Sequence, residues 1–171
     1  MRMPSWIYLL PTVLALTAFT ASASATTITY QMDMNGAQSV PGGDLDGSAT
    51  GLLSLDDVSG LVSWDFTFLN IATPAQMHIH GPGGSAGLTA GIFIGLNVST
   101  SGGPGTLISS VVTNPLLVAQ IFGDPTDFYV NIHNVDFPAG AVRGQLGTVP
   151  EPALALLIAI SGLALAASRR R

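Results

Sequence analysis

The chain contains three histidines: His78, His80 and His133. His78 and His80 stand two apart in a run, residues 76–80, that reads as a strand, so both imidazoles point to one face. Their Cα atoms should lie about 6.5 Å apart. Two imidazoles at that spacing can chelate one ion. His133 closes a second strand-like run, and if the two strands are neighbours, three imidazoles converge. Imidazole suits zinc and copper. Three histidines plus water would make an open site. Three readings stand side by side. The histidines hydrogen-bond loop backbone, or they hold a transition metal without catalysis, or they serve a redox or hydrolytic metalloenzyme.

Arg143 is the other residue that stands out. It is the only cation between Arg2 and Arg169. It is a clamp for an anionic ligand, an ion-pair partner for one of the nearby acids, or a hydrogen-bonded edge residue. Asp44-Leu45-Asp46-Gly47 has part of the form of a calcium loop but lacks a closing bidentate carboxylate, so a polar turn is expected. Asp56-Asp57 suits the solvated tip of a hairpin. No Gly-x-Ser-x-Gly elbow is present. No phosphate-cradling loop ending in Gly-Lys is possible, because the chain has no lysine. With no complete catalytic set, a non-enzymatic protein is expected.

Composition narrows the class. Charged residues make up 9% of the 171 residues and apolar ones 47%, with 20 Gly and 11 Pro. That mix favours short strands joined by tight turns. Nine of the ten acids fall between Asp33 and Asp136, against the single cation Arg143. Such a balance repels a phosphate backbone and argues against nucleic acid as a partner. There is no cysteine, so neither a disulfide framework nor a thiolate metal site is available.

The elements that must position the histidines are read from period-two alternation. Strands are expected at residues 27–32, 51–55, 61–68, 76–80, 91–98, 106–112, 127–133 and 141–146, with residues 56–60 as a hairpin loop. In 61–68, Val62, Trp64, Phe66 and Phe68 share one face, most simply a core face, although exposed rings there would make a carbohydrate platform. One helix is expected, capped by Asn114, with Pro115 in its first turn and Gly123-Asp124-Pro125 at its end. Glycine-rich residues 82–87 and 100–105 read as surface connections. The whole predicts an all-β, antiparallel, Greek-key-like sandwich with one short helix.

Both ends carry address-like segments. Residues 1–25 have the parts of a secretory signal peptide: Arg2, an apolar stretch from Trp6 to Phe19, and Ala21-Ser22-Ala23-Ser24-Ala25. Small side chains one and three residues before the cut are what signal peptidase requires, which predicts cleavage after Ala25 with Ala23 as the second choice. The alternative is an uncleaved anchor. Residues 149–171 hold Pro150-Glu151-Pro152, an apolar run from Ala153 to Ala167, and Arg169, Arg170 and Arg171. As a helix that run reaches roughly 22 Å, short of the ~30 Å hydrocarbon core but able to span a thinned bilayer. The arginines then stay on the cytoplasmic side and the domain lies outside.

This three-part tail resembles the PEP-CTERM sorting signal. The resemblance implies recognition, and removal of the tail, by a membrane protease-transpeptidase, the exosortase. The alternative is a permanent single-span anchor. Between the two ends, residues 26–148 resemble the CHRD domain. The resemblance rests on Met77-His78-Ile79-His80-Gly81-Pro82, Phe128-Tyr129-Val130-Asn131-Ile132-His133 and Pro138-Ala139-Gly140-Ala141-Val142-Arg143-Gly144-Gln145-Leu146, in that order. The chain has Ala141 where the family usually has an acid, and Asn134 where it usually has Thr. Together these features predict an exported protein that passes through the inner membrane to the cell envelope or extracellular matrix. Signal peptidase, exosortase, the membrane, and exopolysaccharide or surface proteins are the expected partners, with zinc or copper as the cofactor if the histidines hold a metal.

Overall fold

The computed structural model describes residues 25–98 and 105–147. The predicted signal peptide up to Ser24, most of the 100–105 connection and the whole 149–171 segment lie outside the described residues. Among the described residues no helix is long and apolar enough to cross a membrane.

Among the described residues the domain has eight strands, one α-helix and two single 3-10 turns: β1 Thr27–Asn35, a 3-10 turn Gly36–Gln38, β2 Ser48–Asp56, β3 Leu61–Leu69, β4 Gln76–His80, β5 Ile92–Leu96, β6 Thr106–Val112, α1 Pro115–Gly123, a 3-10 turn Pro125–Asp127, β7 Tyr129–His133 and β8 Val142–Gln145. All eight strands expected from alternation are present, within a few residues at their ends. β1 and β2 run longer than their apolar cores suggested, because polar residues such as Asp33, Asn35 and Ser48 continue the ladder on the solvent side. The helix starts where Asn114 accepts a hydrogen bond from the Leu116 N–H, with Pro115 opening it.

The strands are hydrogen-bonded in one antiparallel sheet, in the order β5-β4-β7-β8-β1-β2-β3-β6. Two separate sheets were expected. Instead one sheet curls into a nearly closed barrel, and its two halves face each other as the layers of a sandwich would. The join is short: β1 meets β8 at the single register pair Asn35–Arg143. One half contributes Met32, Leu53 and Phe66 to the core, and the other Met77, Ile79 and Ile132. Trp64 and Phe66 are buried, which makes their face a core stripe and not a carbohydrate platform.

Two turns show how local chemistry sets the register. Asp56 ends β2 and accepts from the N–H groups of Val58 and Ser59, the Ser59 hydroxyl and the Thr27 hydroxyl. These bonds hold its carboxyl down at about 2. In the Asp44–Gly47 turn, the Gly47 N–H donates to the Asp44 carbonyl. The Asp46 side chain, bonded to that of Asp44, raises the Asp44 pKa.

Within β2, Gly51 adopts φ 151° between Met32 and Phe66, and a Cβ there would collide with the Asp65 carbonyl oxygen. Gly51→Ala is therefore expected to destabilise the domain by roughly 2 kcal/mol, through backbone strain and a clash with fixed backbone. A urea midpoint would register this at unchanged slope. No shift would mean that β2 and β3 move apart at no cost.

Candidate metal centre

Strand alternation places the three histidines. On β4, Met77 and Ile79 enter the core, so His78 and His80 face outward. On β7, Val130 and Ile132 enter the core, so Tyr129, Asn131 and His133 face outward. β4 and β7 are neighbours, with His78 opposite Asn131 and His80 opposite Tyr129. His133 stands two pairs beyond Asn131, opposite Gln76, and reaches diagonally to His78. The result is a triangle of rings with centroids 5.1 Å, 5.5 Å and 5.8 Å apart. One ring nitrogen from each lies within 4.8 Å of the others. No other group of three or more His, Cys, Asp or Glu among the described residues is arranged to hold an ion.

Hydrogen bonds fix two of the tautomers. His133 Nδ1–H donates to the Pro138 carbonyl at 3.0 Å, and His80 Nδ1–H donates to the Ala90 carbonyl at 3.0 Å. Each Nε2 is then the acceptor nitrogen of its ring. His78 Nδ1 lies 3.3 Å from His133 Nε2 and in the metal-free site donates to it. His80 Nε2 is buried with no partner. A buried acceptor left unpaired is costly, and a metal ion would satisfy it. Backbone carbonyls holding the far nitrogens of both rings are the usual second layer around metal-bound histidine.

The distances suit an ion after a small contraction. Bonds of 2.0–2.1 Å in a tetrahedron hold ligand nitrogens about 3.3 Å apart. The His78–His133 pair already has that separation, and His80 must close in. All three rings favour the neutral, ligating form. Burial lowers the pKa of each one first. His133 and His80 lower that of His78 further, and His133 and Arg143 lower that of His80.

A family model described as the CHRD domain matches residues 30–146, more than half of the chain. The chain belongs to the CHRD domain family. No curated protein and no solved structure matches it. The matched segment contains all three histidines and Arg143 and neither terminal segment.

Within this CHRD domain, Arg143 underpins the histidine cluster from β8. It is 2% exposed, and its guanidinium lies 3.5 Å above the Tyr129 ring. Tyr129 in turn stacks on His80, with centroids 4.9 Å apart and rings within 4° of parallel. Arg143 donates to the carbonyls of Leu88, Gly84 and Ser85 and to Gln145 Oε1, with no carboxylate among its partners. β8 lies between β7 and β1, so Arg143 is not at a sheet edge. Its work is to pin the glycine-rich 82–90 loop onto β7.

Gln145 assists by donating to the carbonyls of Gly84, Thr126 and Phe128. Asp127 holds the same loop through the Gly83 N–H and the Ser85 hydroxyl. The sequence assigned no role to Tyr129, Asn131, Gln145 or Asp127. For the first three the signal was present, since alternation puts Tyr129 and Asn131 on the face of His133, and Gln145 on that of Arg143. Asn134, in the family's usual Thr position, shapes the next turn by accepting from the N–H groups of Asp136 and Phe137. Ala141 is fully buried.

Proposed function

We propose that this chain is an exported protein of the cell envelope or extracellular matrix whose CHRD domain holds one transition metal ion, zinc or copper, at His78, His80 and His133. It acts by binding, not catalysis. The carrying observation is the convergence of three neutral imidazoles around the unpartnered His80 Nε2. Histidines with a purely structural role would also bond loop carbonyls, as His80 and His133 do, but that role leaves His80 Nε2 unpaired at a cost. In a low-dielectric pocket the metal relieves it.

The route to the surface rests on the two ends of the sequence. Signal peptidase cuts after Ala25, or after Ala23. The 149–171 segment then holds the chain at the inner membrane, with Arg169, Arg170 and Arg171 on the cytoplasmic side. Exosortase recognises Pro150-Glu151-Pro152 and releases the domain to exopolysaccharide or surface proteins. The acidic, lysine-free composition of the domain favours such partners over nucleic acid.

The test is a count of metal per chain after exposure to zinc or copper and dialysis. One ion per unaltered chain is expected, and none when all three histidines are changed to alanine. Equal retention by both proteins, or by neither, would sink the metal reading. Fractionation adds a second test: full-length protein in the cytoplasm with its tail intact would overturn the export route.

A further inference from the structure

We propose that the fourth coordination position of this metal centre opens over Gly95 and accepts a small inorganic anion. The inference rests on the metal reading above. Its basis is which sides of the triangle are walled.

On the β7 side, the Pro138 carbonyl backs His133 and the Ala139 carbonyl takes the Asn131 amide. Toward the end of β4, the Ala90 carbonyl and the Tyr129 ring enclose His80. Both His80 and His133 are 8% exposed, while His78 is only part-buried. The remaining side is β5, the last strand of the sheet. There the residue opposite His78 is Gly95. Its neighbours Ile94 and Leu96 enter the core, so position 95 faces outward with the histidines. Gly95 is exposed, and a Cβ built on it meets nothing within 4 Å. Among the described residues, the approach to His78 from this edge is left open by one missing side chain.

Electrostatics selects an anion. The three ligands are neutral, and no carboxylate belongs to the cluster. A buried cation, Arg143, stacks through Tyr129 onto His80 and acts on it electrostatically. A divalent ion held by neutral imidazoles beside that cation leaves net positive charge in a poorly solvated place, which an incoming anion offsets. An opening one side chain wide suits an ion of a few atoms. Three histidines with an exchangeable fourth ligand is also the open arrangement of metal chemistry.

Azide on the copper(II)-loaded full-length chain is the probe, followed by its charge-transfer absorbance, with copper per chain measured in parallel. A saturable azide band is expected in the unaltered protein and in Gly95→Ala. Gly95→Leu should bind azide at least tenfold more weakly at the same copper content, with Gly95→Val in between. Copper uptake with no azide response, or equal azide affinity in all four proteins, would overturn the inference alone. Loss of copper in both Gly95→Val and Gly95→Leu would also overturn it, since an entrance outside the ligand set must leave the metal in place. Failure of the unaltered chain to take copper would bring down the metal reading and this inference with it.

Discussion

Arg143→Met is expected to cost the CHRD domain about 3 kcal/mol and to weaken metal binding by ten- to a hundredfold. The guanidinium makes four charge-assisted bonds, at 2.6 Å to Leu88, 2.8 Å to Gly84, 3.1 Å to Ser85 and 2.9 Å to Gln145. Each is worth about 1.5–3 kcal/mol in isolation. The loss is smaller than their sum, because the 84–88 loop borders solvent and water can reach its carbonyls. Removing the buried cation also relieves its own desolvation. The effect on the metal arises further along the chain. Freed of Arg143, the loop no longer holds the Ala90 carbonyl against His80 Nδ1, and His80 loses its fixed tautomer. Arg143→Lys separates charge from shape. An ammonium keeps the cation but lacks the planar fork that reaches several carbonyls at once. It should recover less than half of the stability. Urea denaturation and a competitive metal titration would measure both effects. Near-native stability in both variants would mean that Asp127 and Gln145 hold the loop unaided.

The fold was legible because burial leaves a period-two trace. β4 was readable residue for residue, since Met77 and Ile79 alternate with polar neighbours up to Gly81, and β6 kept its expected bounds without such clean alternation. The histidine pair was legible for the same reason. His78 and His80 had to share a face, and Met77 and Ile79 on either side of His78 had to make that face the outer one. Strand order was not legible. Nothing local in β7 states that it will lie beside β4 and not beside β6, its predecessor in the chain. That pairing is settled by closing the core, which is a property of all the strands together. Hence the union of three histidines stayed conditional in sequence. The single curled sheet was hidden for a related reason, because it depends on one register pair between Asn35 and Arg143. The partners of Arg143 were illegible too. They are backbone carbonyls, which carry no side-chain signature, whereas the nine acids invited an ion pair.

The metal-free domain is expected to lose stability as pH falls below about 6.5, and bound metal should delay that loss. The folded-state pKa of each histidine lies below the ordinary 6.5, with burial as the leading cause. The sign follows from proton counting. Between 6.5 and the lowered values, the unfolded chain has protonated imidazoles and the folded one does not. The unfolded state then binds more protons, so stability rises with pH in that window and falls as pH drops through it. Above 6.5 all three rings are neutral in both states and contribute no slope. Metal competes with protons for the same nitrogens, so a loaded site keeps the rings neutral to lower pH before it releases the ion. Asp56 acts in a separate window. Its carboxyl, held down at about 2, contributes stability that is lost only as pH falls from 3.8 toward that value.

Urea midpoints collected from about pH 8 to about pH 3, with chelator and with zinc, would resolve the two windows. Replacing all three histidines with alanine should flatten the upper window and spare the lower one. A single His78→Ala change should flatten it least cleanly, because His78 is the most exposed of the three. An upper window as steep in the triple variant as in the unaltered domain would place the acid sensitivity outside the cluster. The histidines would then take up protons alike in the folded and unfolded chains, and burial would not be what holds them ready for a metal.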